Sequence, residues 1–578
     1  DVVPTDPFGP GLDITGFGLF GREIFLPSST WERHLQFQQV WSHHRSAHDL
    51  KFGVDVNPVR DTVRSETFFA GRFSFGNRVP LGLVLNSAAA DPNFSTRLAA
   101  TLAAAGRQSL VPALQAPLTA LQSFSLGLPE FYQQGFGDPH WIGWSKRYNL
   151  FVQDGWRVLP QLTLNFGARY ELEVNEEIVG TDGNNIAPRF GFAWTPARDG
   201  KTVVRGGYGL YYSQINLQIP NVADTLAGAQ IAQTFVPLTG IPGLNNPRTG
   251  RTLTAADIYQ TLAAQGVIGR RAITREDLAQ FGLRPSVNAP LSVVFGIVDD
   301  FVNPWAHQAS FEIERAVGAW AVSAAYNFNR AAHLVRILDR NLFYTGRRAD
   351  GAPTFGFYNP LLSQRNIFES TANSFYHSLI LGAAKRFSRG VSLNAHYTFS
   401  KAIDEVTDFN TDFQPNDQLN ARADRALSGF HQAHRFVANA VLAPEALGGF
   451  TLSPILVAGS GRPFNVLTGF DNLGDRHSTT HRPVHAGRNI GRGPDYFTID
   501  ARLSRKFGGE KRNIEFVAEG FNLLNRTNFK SLNNTVGDVR LSDLPRPLVG
   551  LRGPTTEPLS FTSAFDPRQF QLGVRVNW

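Results

Sequence analysis

The chain has 578 residues, with 55 Lys and Arg, 48 Asp and Glu, 14 His, and neither cysteine nor methionine. A formal net charge of +7 over this length, with no basic run, gives no electrostatic footprint for nucleic acid. The missing cysteines exclude disulfides, thiolate metal sites and thiol nucleophiles. No run of about 18 apolar residues occurs, which excludes a transmembrane helix, and a mean hydropathy of −0.18 suits a soluble protein or a barrel with a polar interior alike. The chain opens on Asp1 rather than Met, so Asp1 is expected to be a processed N-terminus or the start of a fragment.

Period-two alternation begins early, with segments starting near residues 14, 31, 48 and 67. The motif "WSHHRSAHD" (41–49) brings His43, His44 and His48 close in sequence, but a polar surface explains them more simply than a metal does. The Ala-rich stretch 94–108 predicts a helix inside a long connection. Near residue 148 alternation resumes, and "QLTLNFGARYELE" (161–173) sets Leu162, Leu164, Phe166, Ala168, Tyr170 and Leu172 on one face. Thr163, Asn165, Gly167, Arg169, Glu171 and Glu173 share the other. Strands follow near 188 and 201. "TAADIYQTLAAQ" (254–265) predicts a second helix with Thr254 as its cap.

The pattern continues toward the C-terminus. In "HQASFEIER", Ala309, Phe311 and Ile313 oppose Gln308, Ser310, Glu312 and Glu314. Strands are expected near 320 and 375, at 391–400, and near 434 and 450. "YFTIDARLSRKF" sets Phe497, Ile499, Ala501, Leu503 and Phe507 against Thr498, Asp500, Arg502, Ser504 and Lys506, with Arg505 breaking its apolar row near a membrane boundary. A strand near 513 carries Glu515 and Glu519. The chain ends in "QFQLGVRVNW", whose apolar row runs from Phe570 to Trp578. About 17 strands result. Short connections alternate with long ones around 76–142, 215–302, 335–372, 403–430, 463–494 and 526–560, as in an outer-membrane barrel.

Alternation alone does not say which face is inside. Strand length, the aromatic residues near strand ends (Trp156, Tyr170, Trp194, Tyr211, Tyr212, Trp305, Tyr397, Tyr496 and Trp578) and the lack of a helical layer favour lipid on the apolar side. A β-propeller or a stack of sandwiches is the competing architecture, and no blade repeat is visible. The expected lumen lining is Arg169, Glu171, Glu312, Glu314, Asp500, Arg502, Lys506, Glu515 and Glu519; a mutually paired, solvated wall is the plainer account of the same charges.

Few stretches suggest chemistry. "HSTTHRPVH" spaces His477, His481 and His485 four apart, a weak metal candidate because Pro483 breaks a helical reading, and polar residues on an exposed loop are the plainer one. "DNLGD" (471–475) lacks the spacing of a calcium loop. Asp404, Asp408, Asp412 and Asp417 gather in one connection, where a plain acidic loop is the simpler reading. No phosphate loop, zincin helix or nucleophile elbow is present, so no enzyme, catalytic residue or cofactor is expected.

Several segments resemble the TonB-dependent receptors of outer membranes, in particular the Oar-like (OmpA-related) branch: 148–173, 185–214, 372–405, 421–442, 487–507 and 515–529, with 12–21 and 48–61 similar to part of the same barrel. The resemblance implies a bacterial outer-membrane location. It also implies a 22-stranded barrel with an N-terminal plug and a TonB-contacting segment, neither of which is recognisable here. We therefore expect either a single barrel domain over 1–578 of about 16 strands, 18 next, or the C-terminal part of a longer receptor; the last strand is expected to pair with the first, which is either the segment near residue 14 or a strand outside this chain. The expected function is transport or a pore for an unidentified solute. The alternative is a structural barrel whose long loops bind other envelope or cell-surface partners. Expected partners are outer-membrane lipid, lipopolysaccharide and the barrel-assembly machinery, with Phe570 and Trp578 as the C-terminal assembly signal; coupling to TonB has no support without a plug.

Overall fold

The computed structural model describes residues 9–578 apart from 24–25, 68, 77–79, 90, 92, 241–242, 286–291, 361, 470, 478, 510–511, 538 and 556. Its main feature is an antiparallel meander in which each strand pairs with the next. The strands are β1 (Ser28–His34 and Phe37–Arg45), β2 (His48–Ser65), β3 (His140–Leu159), β4 (Leu162–Asn175), β5 (Ile186–Trp194), β6 (Thr202–Tyr212), β7 (Trp305–Val317) and β8 (Trp320–Asp339). They continue with β9 (Leu362–Ser388), β10 (Val391–Asp404), β11 (His434–Leu442), β12 (Phe450–Gly459), β13 (Tyr496–Gly508), β14 (Asn513–Phe521) and β15 (Gln569–Asn577). The two parts of β1 keep one register against β2: His34 faces Val59 and Phe37 faces Val56. The break between them lies opposite Pro58, which has no N–H to give to the ladder.

Among the described residues the wall comprises these 15 strands, with the two parts of β1 counted as one, beside the 16 or 18 expected. The segments near 14 and 67, read in the sequence as wall strands, lie elsewhere. Gly11–Ile14 pairs parallel with Arg72–Phe75, within a second group of strands formed by Gly18–Phe20, Phe131–Gly137, Ile231–Pro237 and Ser292–Ile297. Alternation marked them as strands but could not say which sheet they join. Nor does the last strand close on the first: among the described residues, β15 pairs with β14 alone and β1 with β2 alone.

Connections alternate strictly in length. Those at 46–47, 160–161, 195–201, 318–319, 389–390, 443–449 and 509–512 are short. Those at 66–139, 176–185, 213–304, 340–361, 405–433, 460–495 and 522–568 are longer, and all lie at the other end. The connection expected over 335–372 is shorter because β8 and β9 run on into it; Ser292–Ile297 then pairs parallel with Leu362–Phe368, so that the second group of strands and the wall form one hydrogen-bonded sheet.

That second group of strands forms a loop layer with its own core. Phe73, Phe75, Tyr132, Val236, Leu253, Ile258, Leu262, Leu278 and Phe281 are buried in one cluster. The helices expected near 94 and 254 form as Phe94–Ala104 and Ala255–Ala264. Thr254 caps the latter as predicted: Asp257 N donates to Thr254 Oγ1 at 3.2 Å and Thr254 N to Asp257 Oδ2 at 2.9 Å.

Candidate functional site

Pairing register divides the wall into two faces. One carries Phe52, Leu150, Val152, Phe166, Phe190, Phe311, Ile313, Leu379, Leu381, Phe399, Leu503 and Phe516, all exposed. An exposed apolar band of this extent is costly in water and expected in lipid. Aromatic rings and bases border it at both ends. At the short-turn end, His48 stacks on Trp156 (centroids 5.4 Å), and Arg505 lies over Phe450 and Phe507 at 4.8 Å each. The arginine that interrupts the apolar row thus rests on rings beside the turn, its charge at the boundary. At the long-loop end, Tyr208–His307, Tyr326–His377 and Tyr397–His434 repeat one diagonal pair, Oη and Nδ1 2.7 Å apart in each. Tyr211, counted in the sequence among the boundary aromatics, turns to the opposite face, where Arg189 lies 4.5 Å over its ring.

The opposite face is polar, and its charges answer one another. Arg169 meets Glu171 at 2.9 Å and Asp55 at 3.5 Å. Asn149 donates to Asp55 at 3.1 Å, and Arg147 and Ser145 to Glu173 at 3.2 and 2.7 Å. Arg205 lies 3.6 Å from Glu312 and 4.0 Å from Glu314. Arg502 lies 3.4 Å from Glu515 and 3.7 Å from Glu519. Asp500 accepts from Asn522 N at 2.8 Å and Thr498 Oγ1 at 2.9 Å, while Lys506 faces Glu515 in register. All nine charged residues singled out in the sequence therefore share this face. Sequence reasoning missed their partners Asp55 and Arg205, and the further pair Arg147–Glu173, all on strands that carried the same alternation signal. A cavity of about 950 Å³ opens on this face, bordered by Lys51, Asn165, Arg169, Arg189, Gln308 and Asn327. On its border the strands approach closely at Gly167, where a Cβ would stand 2.6 Å from Val152 O of the neighbouring strand.

At the long-loop end the connections lock together through buried polar groups. Arg336 meets Glu405 at 2.8 Å, Arg488 meets Asp404 at 2.6 Å, and Arg482 pairs with Asp424. His477 Nε2 is 3.0 Å from Asp339 Oδ2, itself wholly buried. Burial opposes protonation of His477, but its bond to Asp339 and the charge of Asp475 outweigh that and raise its pKa. The three histidines spaced four apart do not converge. His477 goes to Asp339, His485 lies 2.8 Å from Asp350 O, and His481 turns to Asp471 and Asp475. The four aspartates of 404–417 likewise separate, Asp404 to Arg488 and Asp417 to the hydroxyl of Tyr344 at 2.8 Å. His48 reaches Asp154 at 2.6 Å, away from any cluster with His43 and His44.

A long antiparallel meander with one lipid-suited face and one polar, charge-paired face defines an outer-membrane β-barrel protein. The profile of the outer membrane beta barrel domain matches residues 2–177, 173–486 and 485–571, and the chain belongs to that family. Its location is the outer membrane. Among solved structures, the outer membrane transporter YddB from Escherichia coli is similar over 99% of this chain and 58% of its own, with 11% identity and a TM-score of 0.53. The ferric enterobactin receptor PfeA from Pseudomonas aeruginosa (10% identity, 97% of this chain and 55% of that one, TM-score 0.48) and the FrpB iron transporter from Neisseria meningitidis (11%, 95% and 55%, 0.45) are more distant. The chain spans little more than half the length of these transporters. No curated protein matches it.

Proposed function

We propose that this chain is the greater part of the wall of an outer-membrane transporter of the TonB-dependent receptor type, Oar-like in branch, and that it passes a polar solute rather than performing catalysis. The observation carrying this reading is the continuous polar face, with its paired charges and its cavity of about 950 Å³. In this reading Arg169, Glu171, Glu312, Glu314, Asp500, Arg502, Lys506, Glu515 and Glu519 line the lumen. Because both signs alternate along it, the lumen favours neutral or zwitterionic polar solutes over a single ion type. The free edges of β1 and β15 meet further strands when the barrel is closed, and Phe570 and Trp578 serve the assembly machinery.

The test is reconstitution of the intact gene product in liposomes. Entry of small polar solutes, altered in Arg169→Ala and Glu171→Ala, is expected. A correctly inserted protein that passes none, with or without an energised partner, would count against transport.

A further inference from the structure

One group of side chains at the long-loop end plays no part in the polar face of the wall. We propose that Asp471, Asp475 and His481 form a binding site for a divalent transition ion, Zn²⁺ being the best match, which fastens the connection 460–495. Each of the three residues offers one ligand atom, and these atoms all lie within 4.8 Å of one another. His481 Nε2 is 2.9 Å from Asp475 Oδ1, and Nδ1 is 3.5 Å from Asp471 Oδ1.

The second observation is the state of the buried atoms. The His481 and Asp475 side chains are both 0% exposed. Despite the short distances, neither ring nitrogen of His481 makes a hydrogen bond of acceptable geometry, and Asp475 Oδ2 has no partner. A buried imidazolium holding two carboxylates together would aim its N–H groups at their oxygens, because a buried donor left unmet loses its hydration without replacement. A ring nitrogen that directs its lone pair at a metal carries no such requirement, which leaves a single N–H, on the other nitrogen, beside a carboxylate oxygen. One neutral imidazole and two carboxylates also match the charge of a divalent ion, and mixed nitrogen and oxygen ligation suits zinc better than calcium or magnesium.

The backbone holds the ligands ready. Asp471 Oδ1 accepts from Gly474 N (2.7 Å) and Asp475 N (3.1 Å), and Oδ2 accepts from Arg476 N (2.7 Å). Gly474 and Arg476 both take positive φ (75° and 68°), which turns these N–H groups inward. Asp475 Oδ1 accepts from His477 N at 3.0 Å, fixing the second carboxylate. Thr468 N donates to His481 O at 2.8 Å and brings the histidine across the loop. Neighbouring His477 is already engaged by Asp339, so it orients the loop without joining the ligands.

The experiment is equilibrium dialysis of the intact, folded protein in detergent against Zn²⁺, with metal counted by mass spectrometry and Co²⁺ absorption as a second readout. One equivalent of Zn²⁺ per chain is expected, weakened by at least about tenfold in Asp475→Asn and in His481→Gln, and unchanged in His485→Ala. Should either ligand variant fail to fold, the Co²⁺ spectrum of the unsubstituted protein decides alone, with ligand-field bands showing imidazole and carboxylate ligation expected. No bound metal above background, no such bands, or binding that survives loss of His481 in a folded variant would overturn the proposal and leave these residues as a buried ion cluster.

Discussion

Arg336 and Glu405 form an ion pair at 2.8 Å, their side chains 3% and 7% exposed, joining the extended top of β8 to the connection that leaves β10. Glu405 also accepts from Asn373 N at 3.1 Å and Asn373 Nδ2 at 3.2 Å. Removing one member strands a buried charge, so Arg336→Met is expected to destabilise by about 3–5 kcal/mol. The double variant Arg336→Met/Glu405→Leu should recover much of that. Unfolding midpoints of the three proteins check this; equal loss in single and double variants would show that the charge pairing is not what matters.

The two faces of the wall make opposite demands at neighbouring positions. Phe311 lies in the middle of β7 on the apolar face, 46% exposed, and Ser310 beside it points to the polar face. Phe311→Arg is expected to cost about 2–4 kcal/mol at a bilayer midplane. Ser310→Arg should leave assembly intact. Folding yield into liposomes measures both, and the reverse ranking would invert the wall.

Arg205 is half exposed and lies at 3.6 and 4.0 Å from Glu312 and Glu314. Pairs this open contribute about 0–1 kcal/mol, so Arg205→Ala should hardly change stability. It leaves two carboxylates unanswered, so the reconstituted protein should shift toward cation preference. Reversal potentials across a salt gradient give the sign.

The loop layer has its own acid response. Arg271 donates two hydrogen bonds to Asp277, at 2.5 and 2.8 Å, and these hold its carboxyl below the usual range. A depressed folded pKa means that the stabilisation is full above the unfolded value of about 3.9 and fades as pH falls through the lower folded value. Protection of the segment 254–283 against hydrogen exchange should therefore weaken as pH falls from about 5 to 3. In Asp277→Asn the protection should be weaker at neutral pH and change less across that range.

Alternation in the sequence was enough to place the two faces of the wall strands on which it was read residue by residue, while Tyr211 turned to the other side. Leu162, Leu164 and Phe166 against Thr163, Asn165 and Arg169 is a local pattern that the pleat converts directly into opposite sides. The same logic put nine charged residues on one face and led to the long and short connections. The Thr254 cap was legible because its signal spans four residues.

Tertiary structure alone decided the rest. Whether Gly11–Ile14 joins the wall or the loop layer depends on its pairing with Arg72–Phe75, some sixty residues away, and no periodicity encodes a partner. For the same reason strand counting gave about 17, while hydrogen bonding among the described residues places 15 in the wall. Equal spacing made His477, His481 and His485 look like one set, yet a loop without helical period sends each ring elsewhere. Asp471, Asp475 and His481 meet instead because backbone N–H groups fold one aspartate back over the other, a contact set by turn geometry rather than by spacing.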